Sequence, residues 1–243
     1  MMLPLEVSVP IPFGLSAGDS VLVVSAHPDD ETLGMGGAIA ALTAAGVSVD
    51  VLAVACLSGP MYGGFSDAAV RAAEFADACD ALGVAGRRIA WTDTAQAAAP
   101  WLHVTELVTL IEAGPGPSLA VTRPVALFIP AGGHHQDHRA VHEAGLAATR
   151  PGGCESRPAP PIVAGYDGPE DRAWTCCGQR RPVVIDTTAA WPVKHKALEC
   201  YASQLRLAPH PRSIEMIRAQ DQATGAAIGT GAAEAFVPYR MSW

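Results

Sequence analysis

Aromatic side chains are scarce in this sequence, at 6% of residues, which leaves little material for the base-stacking platforms of single-strand nucleic-acid binders. Basic residues are outnumbered too: 16 Lys and Arg against 24 Asp and Glu leave a formal charge of −8. That balance argues against nucleic acid or an anionic membrane surface as partner. No stretch approaches the roughly 20 apolar residues of a transmembrane helix. Met1 to Ser20 lacks a basic n-region and is interrupted by Pro4, Pro10, Pro12 and Gly14, so it does not read as a signal peptide, and a cytoplasmic protein is expected. Cysteine spacing of the zinc-ribbon kind is missing as well. Cys56, Cys79, Cys154 and Cys200 are scattered, and Cys176 and Cys177 are adjacent with no CxxC partner. Cys56, Cys79 and Cys200 read as small core residues.

What is present is an alternation of apolar strands and helices over 243 residues, with no internal repeat. Strands are predicted at 21–26, 47–55, 88–91, 124–129, 162–166 and 182–186. Helices are predicted at 36–45 before Gly46, 68–82 between an Asp67 cap and Gly83, 101–113, 139–149, 189–205 and 214–220. On the second helix Val70, Phe75, Ala78 and Leu82 mark the buried face, and Arg71 with Glu74 forms an i,i+3 pair. The fold class is α/β: a Rossmann-like, doubly wound, mostly parallel sheet with helices on both faces, plus a small C-terminal extension. One domain spans 1–243, with an N-terminal arm over 1–18 and the extension over about 206–243.

Two loops concentrate the chemistry. The first, His27-Pro28-Asp29-Asp30-Glu31, follows the first apolar strand and puts one imidazole and three carboxylates at its carboxyl end, where open α/β sheets bind ligands. So much charge beside a sheet is costly unless something positive is held there, and a divalent metal is the simplest candidate. The plainer reading is a turn in which Pro28 sets φ and Asp29 or Asp30 caps the next helix. The second loop, His134-His135-Gln136-Asp137-His138, ends another apolar strand and so opens on the same sheet edge. Caps do not call for clustered histidines. His27, Asp30 and His138 together offer two nitrogens and an oxygen and leave a coordination position for water, as catalytic zinc sites require. Zinc would lower the pKa of that water toward ~7. Asp29, beside a ligand but not needed as one, is placed to take the water proton as general base.

HPDDE after the first strand, with HxDH about 100 residues later, resembles the LmbE/PIG-L family of zinc-dependent N-deacetylases. Lys194…Tyr201-Ala-Ser-Gln204 and Gly231…Ala233-Glu-Ala-Phe236 extend the likeness over most of the chain. The resemblance implies His27, Asp30 and His138 as metal ligands and Asp29 as base. It implies His135 as the histidine that stabilises the oxyanion and protonates the leaving amine, with Asp137 orienting and charging it. Gln136 stands where many relatives have Pro, and His134 is a second imidazole one position from His135. His142, a turn beyond His138, reads as an exposed helix histidine rather than a support for the metal. Glu31 and Thr32 read as supporting or capping groups.

The expected activity is removal of an N-acetyl group from an N-acetylated amino sugar or glycoconjugate, in secondary metabolism for instance, through zinc-bound hydroxide; Fe2+ or another divalent ion is the alternative metal. The partner is then a small molecule, with homo-oligomer formation left open. A second reading keeps the metal and cleaves a larger amide, such as a thiol–sugar conjugate, with loops 58–65 and 167–181 setting the choice. A third, a non-catalytic nucleotide-binding module, lacks GxGxxG and puts carboxylates where phosphate would sit.

Overall fold

The computed structural model describes residues 11–61, 64–151, 159–173 and 182–242. Most of the N-terminal arm, Cys154, Cys176, Cys177 and the end of the 167–181 loop lie outside these residues. In chain order the first half holds β1 (Ser20–Ser25), α1 (Asp30–Ala44), β2 (Ser48–Cys56), β3 (Gly59–Met61), β4 (Gly64–Ser66), α2 (Ala68–Leu82), β5 (Gly86–Thr92), α3 (Ala95–Ala98) and α4 (Val104–Ala113). The second half holds α5 (Leu119–Thr122), β6 (Ala126–Pro130), α6 (Gln136–Ala148), β7 (Ile162–Tyr166), β8 (Val183–Asp186), α7 (Trp191–Cys200), α8 (Ile214–Ala226) and β9 (Ala233–Met241).

Seven strands form one sheet in the order β5-β2-β1-β6-β7-β9-β8. The first five run parallel, and β9 pairs antiparallel with both β7 and β8. β1 shows why this core forms. Val21 and Val23 enter one apolar cluster and Leu22 and Val24 the other, all wholly buried. A strand apolar on both faces must lie inside a sheet covered by helices on each side. Burying each such side chain contributes about 1.5–3 kcal/mol. Helices α1, α2 and α7 cover one face, and α4 and α6 the other. The chain runs outward from β1 to β2 and β5, then returns to β6 on the other side of β1. That reversal opens a crevice at the carboxyl ends of β1 and β6.

Several elements depart from the pattern of the sequence. Helix α1 begins at Asp30 rather than Gly36, and α6 at Gln136 rather than Arg139. The charged residues of both loops therefore stand in first helical turns, where Asp30, Glu31 and Asp137 face the positive end of a helix dipole. Trp101 and Leu102 lie in a short 3-10 turn before α4 and are 41% and 73% exposed. Val70 is 48% exposed, so the buried face of α2 is carried by Phe75, Ala78 and Leu82. Arg71 and Glu74 reach in different directions: Arg71 donates to the Pro28 carbonyl at 3.1 Å, and Glu74 accepts from Ser203 N and Oγ. Cys56 and Cys79 are buried, whereas Cys200 is half-buried with its thiol on the Lys196 carbonyl. Helix α7 ends at Cys200 instead of 205.

The polar residues that stand out in the C-terminal third serve α1. That helix is broken at Met35 (φ −146°), which strips the N–H groups of Gly37 and Ala38 of their helical acceptors. Glu234 on β9 accepts both, at 2.9 and 2.7 Å. Lys194, wholly buried, then bridges Glu234 and Asp221 at 2.7 Å each, and Arg172 closes the set on Asp221 at 2.7 Å. A lysine can be buried to this depth because two carboxylates neutralise it.

Candidate metal centre and active site

The His27 loop leaves β1 and the His134–His138 loop leaves β6, so the two open side by side at the crevice. Ring nitrogens of His27, His135 and His138 come within 4.8 Å of one another. Asp30 lies buried between two of them: its Oδ2 is 3.5 Å from His27 Nδ1 and 3.2 Å from His138 Nε2, and it accepts the His27 N–H at 2.8 Å. Asp137 Oδ2 is 2.8 Å from His27 Nε2 and 3.7 Å from His135 Nδ1, so it engages His27 directly and faces His135 at longer range. His135, with 46% of its side chain exposed, lines the open side.

Electrostatically the cluster is organised to hold positive charge. Burial disfavours charged His138, but Asp30 and Asp171 on either side overcome this and raise its pKa to about 10. Burial likewise opposes charge on His27, and bonds to Asp137 and Asp30 outweigh it, leaving its pKa raised. Asp30 is buried as well, yet His138 and His27 hold it well below the usual carboxylate range. His135 differs: burial, and then the neighbouring His27, push its pKa down. Its Nδ1 accepts the Asp137 N–H at 3.3 Å, which leaves Nε2 to carry the proton of the neutral ring.

Asp29 has the least ordinary backbone of the site, φ +117°. Its carbonyl accepts the N–H groups of Thr32 and Leu33 at 3.1 and 2.9 Å, while its side chain makes no capping bond. The turn-and-cap reading therefore accounts for the backbone here and not for the carboxylate. Oδ2 takes a hydrogen bond from Arg212 at 3.2 Å, and Oδ1 is buried without a partner among the described residues. Burial raises the Asp29 pKa, against the pull of Arg212. Behind it, Glu31 is wholly buried, bonded to Tyr201 at 2.6 Å and Thr32 at 2.8 Å, and burial pushes its carboxyl up to about 7.

Two further contributors carried no signal in the sequence. Asp171, in the short turn after β7, places Oδ2 3.4 Å from His138 Nδ1 and accepts the His134 N–H on Oδ1 at 2.9 Å. Gly133 (φ +86°) makes room for it, since a Cβ there would meet the carboxylate at 2.2 Å. A carboxylate on the far nitrogen of an imidazole is how metal-ligating histidines are oriented. Arg212 lies 183 positions from Asp29 and pairs also with Glu170. Neither residue belongs to a local motif, so only the fold could locate them. His142 is half-buried, not exposed; its Nδ1 bonds the Pro130 carbonyl at 2.9 Å and its ring packs on Tyr239, steadying the end of β6.

The donor set fits a divalent cation with nitrogen and oxygen ligands. His27 and His138 belong to any such set, and the third donor is Asp30 or His135. Asp30 is the buried anion already between the two histidines, whereas His135 is exposed.

The family described as PIG-L: GlcNAc-PI de-N-acetylase matches residues 22–149, more than half of the chain and both histidine loops. Among curated proteins none matches the chain in sequence. Solved structures of like fold include the conserved protein TT1542 from Thermus thermophilus, 26% identical, covering 92% of this chain and 96% of that one with a TM-score of 0.69. The N,N'-diacetylchitobiose deacetylase from Pyrococcus horikoshii is 20% identical, with 91% of this chain and 84% of that one covered and a TM-score of 0.67. GalB, the 4-carboxy-2-hydroxymuconate hydratase from Pseudomonas putida KT2440, is 19% identical, with coverage of 93% and 98% and a TM-score of 0.69. The last two likenesses are of fold alone.

Proposed function

Since the chain belongs to the PIG-L family of de-N-acetylases, we propose that it is a metal-dependent N-deacetylase acting on an N-acetylated amino sugar or glycoconjugate. The observation that carries this reading is the convergence of His27, Asp30 and His138 beside a buried carboxylate, Asp29, with one oxygen unpartnered among the described residues. His27, Asp30 and His138 would hold the cation, Zn2+ in the first instance. When bound it supplies Lewis acidity toward an amide carbonyl and makes water more acidic.

The chain's own residues do the rest. Asp29 takes the water proton on Oδ1, with Arg212 fixing Oδ2. His135 donates from Nε2 to the carbonyl oxygen as negative charge develops there. The sequence suggested a charged His135 held by Asp137. The lowered pKa of His135 and the bond from Asp137 to His27 favour a neutral donor instead. Asp171 fixes the ring of His138, and Asp137 that of His27. The amine then leaves with the proton that Asp29 collected, and acetate is the other product.

The test is acetate release from a panel of N-acetylglucosaminyl compounds, with and without chelator. Acetate is expected from at least one compound, with turnover abolished by chelation and restored by Zn2+. Release of a larger acid from acylated analogues, without acetate, would move the assignment to the larger-amide reading. Turnover that survives complete metal removal would overturn the mechanism.

A further inference from the structure

We infer that Glu31, held in place by Tyr201, is a positioning residue for the proton-accepting carboxylate: it clamps the peptide that precedes Asp29 and so keeps Asp29 in its positive-φ conformation. The inference rests on the N-deacetylase reading, in which Asp29 is the base. A residue with a Cβ at φ +117° persists only where its surroundings over-determine it. Here both flanking peptides are pinned. On the far side, the Asp29 carbonyl takes the N–H groups of Thr32 and Leu33. On the near side, the peptide between Pro28 and Asp29 is gripped at both polar atoms by side chains. Arg71 donates to the Pro28 carbonyl at 3.1 Å, and Glu31 Oε2 accepts the Asp29 N–H at 3.2 Å. With both peptide planes fixed, φ and ψ of Asp29 have little freedom to relax.

Glu31 can act this way because it is itself held. Its side chain is wholly buried, and three donors converge on its two oxygens: the Asp29 N–H on Oε2, and the hydroxyls of Tyr201 at 2.6 Å and Thr32 at 2.8 Å on Oε1. A buried carboxylate keeps its place only while such donors satisfy it. Thr32 is the next residue of α1 and moves with it, so Tyr201, 170 positions away, supplies a hold from outside the helix. Tyr201 is buried and opens the Tyr201-Ala-Ser-Gln204 run, whose Ser203 bonds both oxygens of Glu74 through its N–H and hydroxyl. Glu74 and Arg71 lie about one turn apart on α2. One helix therefore braces both the Pro28 carbonyl and the turn that carries Tyr201. A group that only favoured the start of α1 would affect stability alone. This one ends on the orientation of the reacting residue, where a displacement of about 1 Å can cost about hundredfold in rate.

The test uses the metal-loaded protein and its Tyr201→Phe, Glu31→Ala and Glu31→Gln variants. Hydrogen exchange of the Asp29 amide, followed by NMR, reads the clamp without any substrate. Exchange there should quicken about tenfold in Tyr201→Phe and further in Glu31→Ala, with the amides of β1 unchanged, as for loss of a hydrogen bond to a charged group. Tyr201→Phe removes one hydroxyl and keeps the ring packed, so it serves where Glu31→Ala does not fold. Glu31→Gln should hold the amide within about threefold of the unaltered protein, because its carbonyl oxygen accepts the Asp29 N–H while its amino group donates to the rotated hydroxyls. On a panel compound from which the unaltered protein releases acetate, kcat should fall about tenfold in Tyr201→Phe, with KM and bound Zn2+ within about twofold. Glu31→Gln should recover most of the rate lost in Glu31→Ala. An Asp29 amide unmoved in Tyr201→Phe and Glu31→Ala overturns the clamp, and so does a loss carried by KM or by metal, or faster exchange with kcat unchanged. Acetate from no compound removes the deacetylase reading, and exchange at Asp29 then decides the clamp by itself.

Discussion

Asp29 and Asp30 are adjacent, both buried, and driven in opposite directions by what surrounds them. Two imidazoles hold Asp30 ionised, whereas burial lifts the pKa of Asp29, with Arg212 as the main opposing pull. Asp29 also occupies φ +117°, a conformation costing a residue with a Cβ about 1–3 kcal/mol. Strain and a desolvated carboxylate are what a reactive group costs the fold, so activity and stability should separate there. Asp29→Gly is expected to raise stability by about 1 kcal/mol in urea unfolding and to lower turnover by at least about hundredfold, with metal retained; a variant that is both less stable and fully active would contradict the assignment. His138 supplies a pH prediction. With its pKa raised to about 10, the imidazole holds a proton throughout the neutral range, and an incoming metal must displace it. Removing protons removes the competitor, so apparent Zn2+ affinity should climb with pH, about tenfold per unit between roughly 6 and 8. Competition with a chromophoric chelator across that range would show it, and a flat profile would count against His138 as ligand.

At the scale of elements, α1 carries both the turn of Asp29 and Asp30 and the break that lets β9 grip it. The break at Met35 leaves two N–H groups for Glu234, and Glu234 in turn neutralises Lys194. Glu234→Ala would orphan those donors and leave Lys194 with Asp221 alone. Loss of a buried ion-pair partner costs about 3–5 kcal/mol. A loss of that size in the free energy of urea unfolding is expected, and a change below about 1 kcal/mol would mean that the network is not a stabilising unit. The same network reaches the histidine cluster through Arg172, next to Asp171, whose carboxylate meets His138. The α1 and α6 starts show a limit of pattern reading: polar clusters read as loops, but their first turns are helical because acidic residues favour a helix N-terminus.

For the whole molecule, the order in which parallel strands are added reverses at β1, so that β6 lies beside it, and this brings residues about 110 positions apart into contact, as with His27 and Asp137. A cation held by residues from two distant loops would bind the folded chain alone, so metal should raise the melting temperature in a concentration-dependent way, by the equivalent of about 2.7 kcal/mol at a hundredfold excess over Kd. A midpoint unmoved by Zn2+ and by chelator would argue against a resident metal. No helix among the described residues is long and apolar enough to cross a membrane. A hydratase of the same fold shows that architecture alone does not choose the reaction.

What the amino-acid sequence determined by itself was local: apolar strands readable on both faces, and two loops rich in His and Asp at strand ends. Those signals survive without coordinates because strand periodicity and clustered charge lie within a few consecutive residues. The tertiary structure alone decided the partners. It put Asp171 on His138, Arg212 on Asp29 and Glu234 on the broken α1. Each is an electrostatic match between residues from distant segments. A buried charge must be met by whatever donor the fold delivers, so its partner is set by packing and not by sequence neighbourhood.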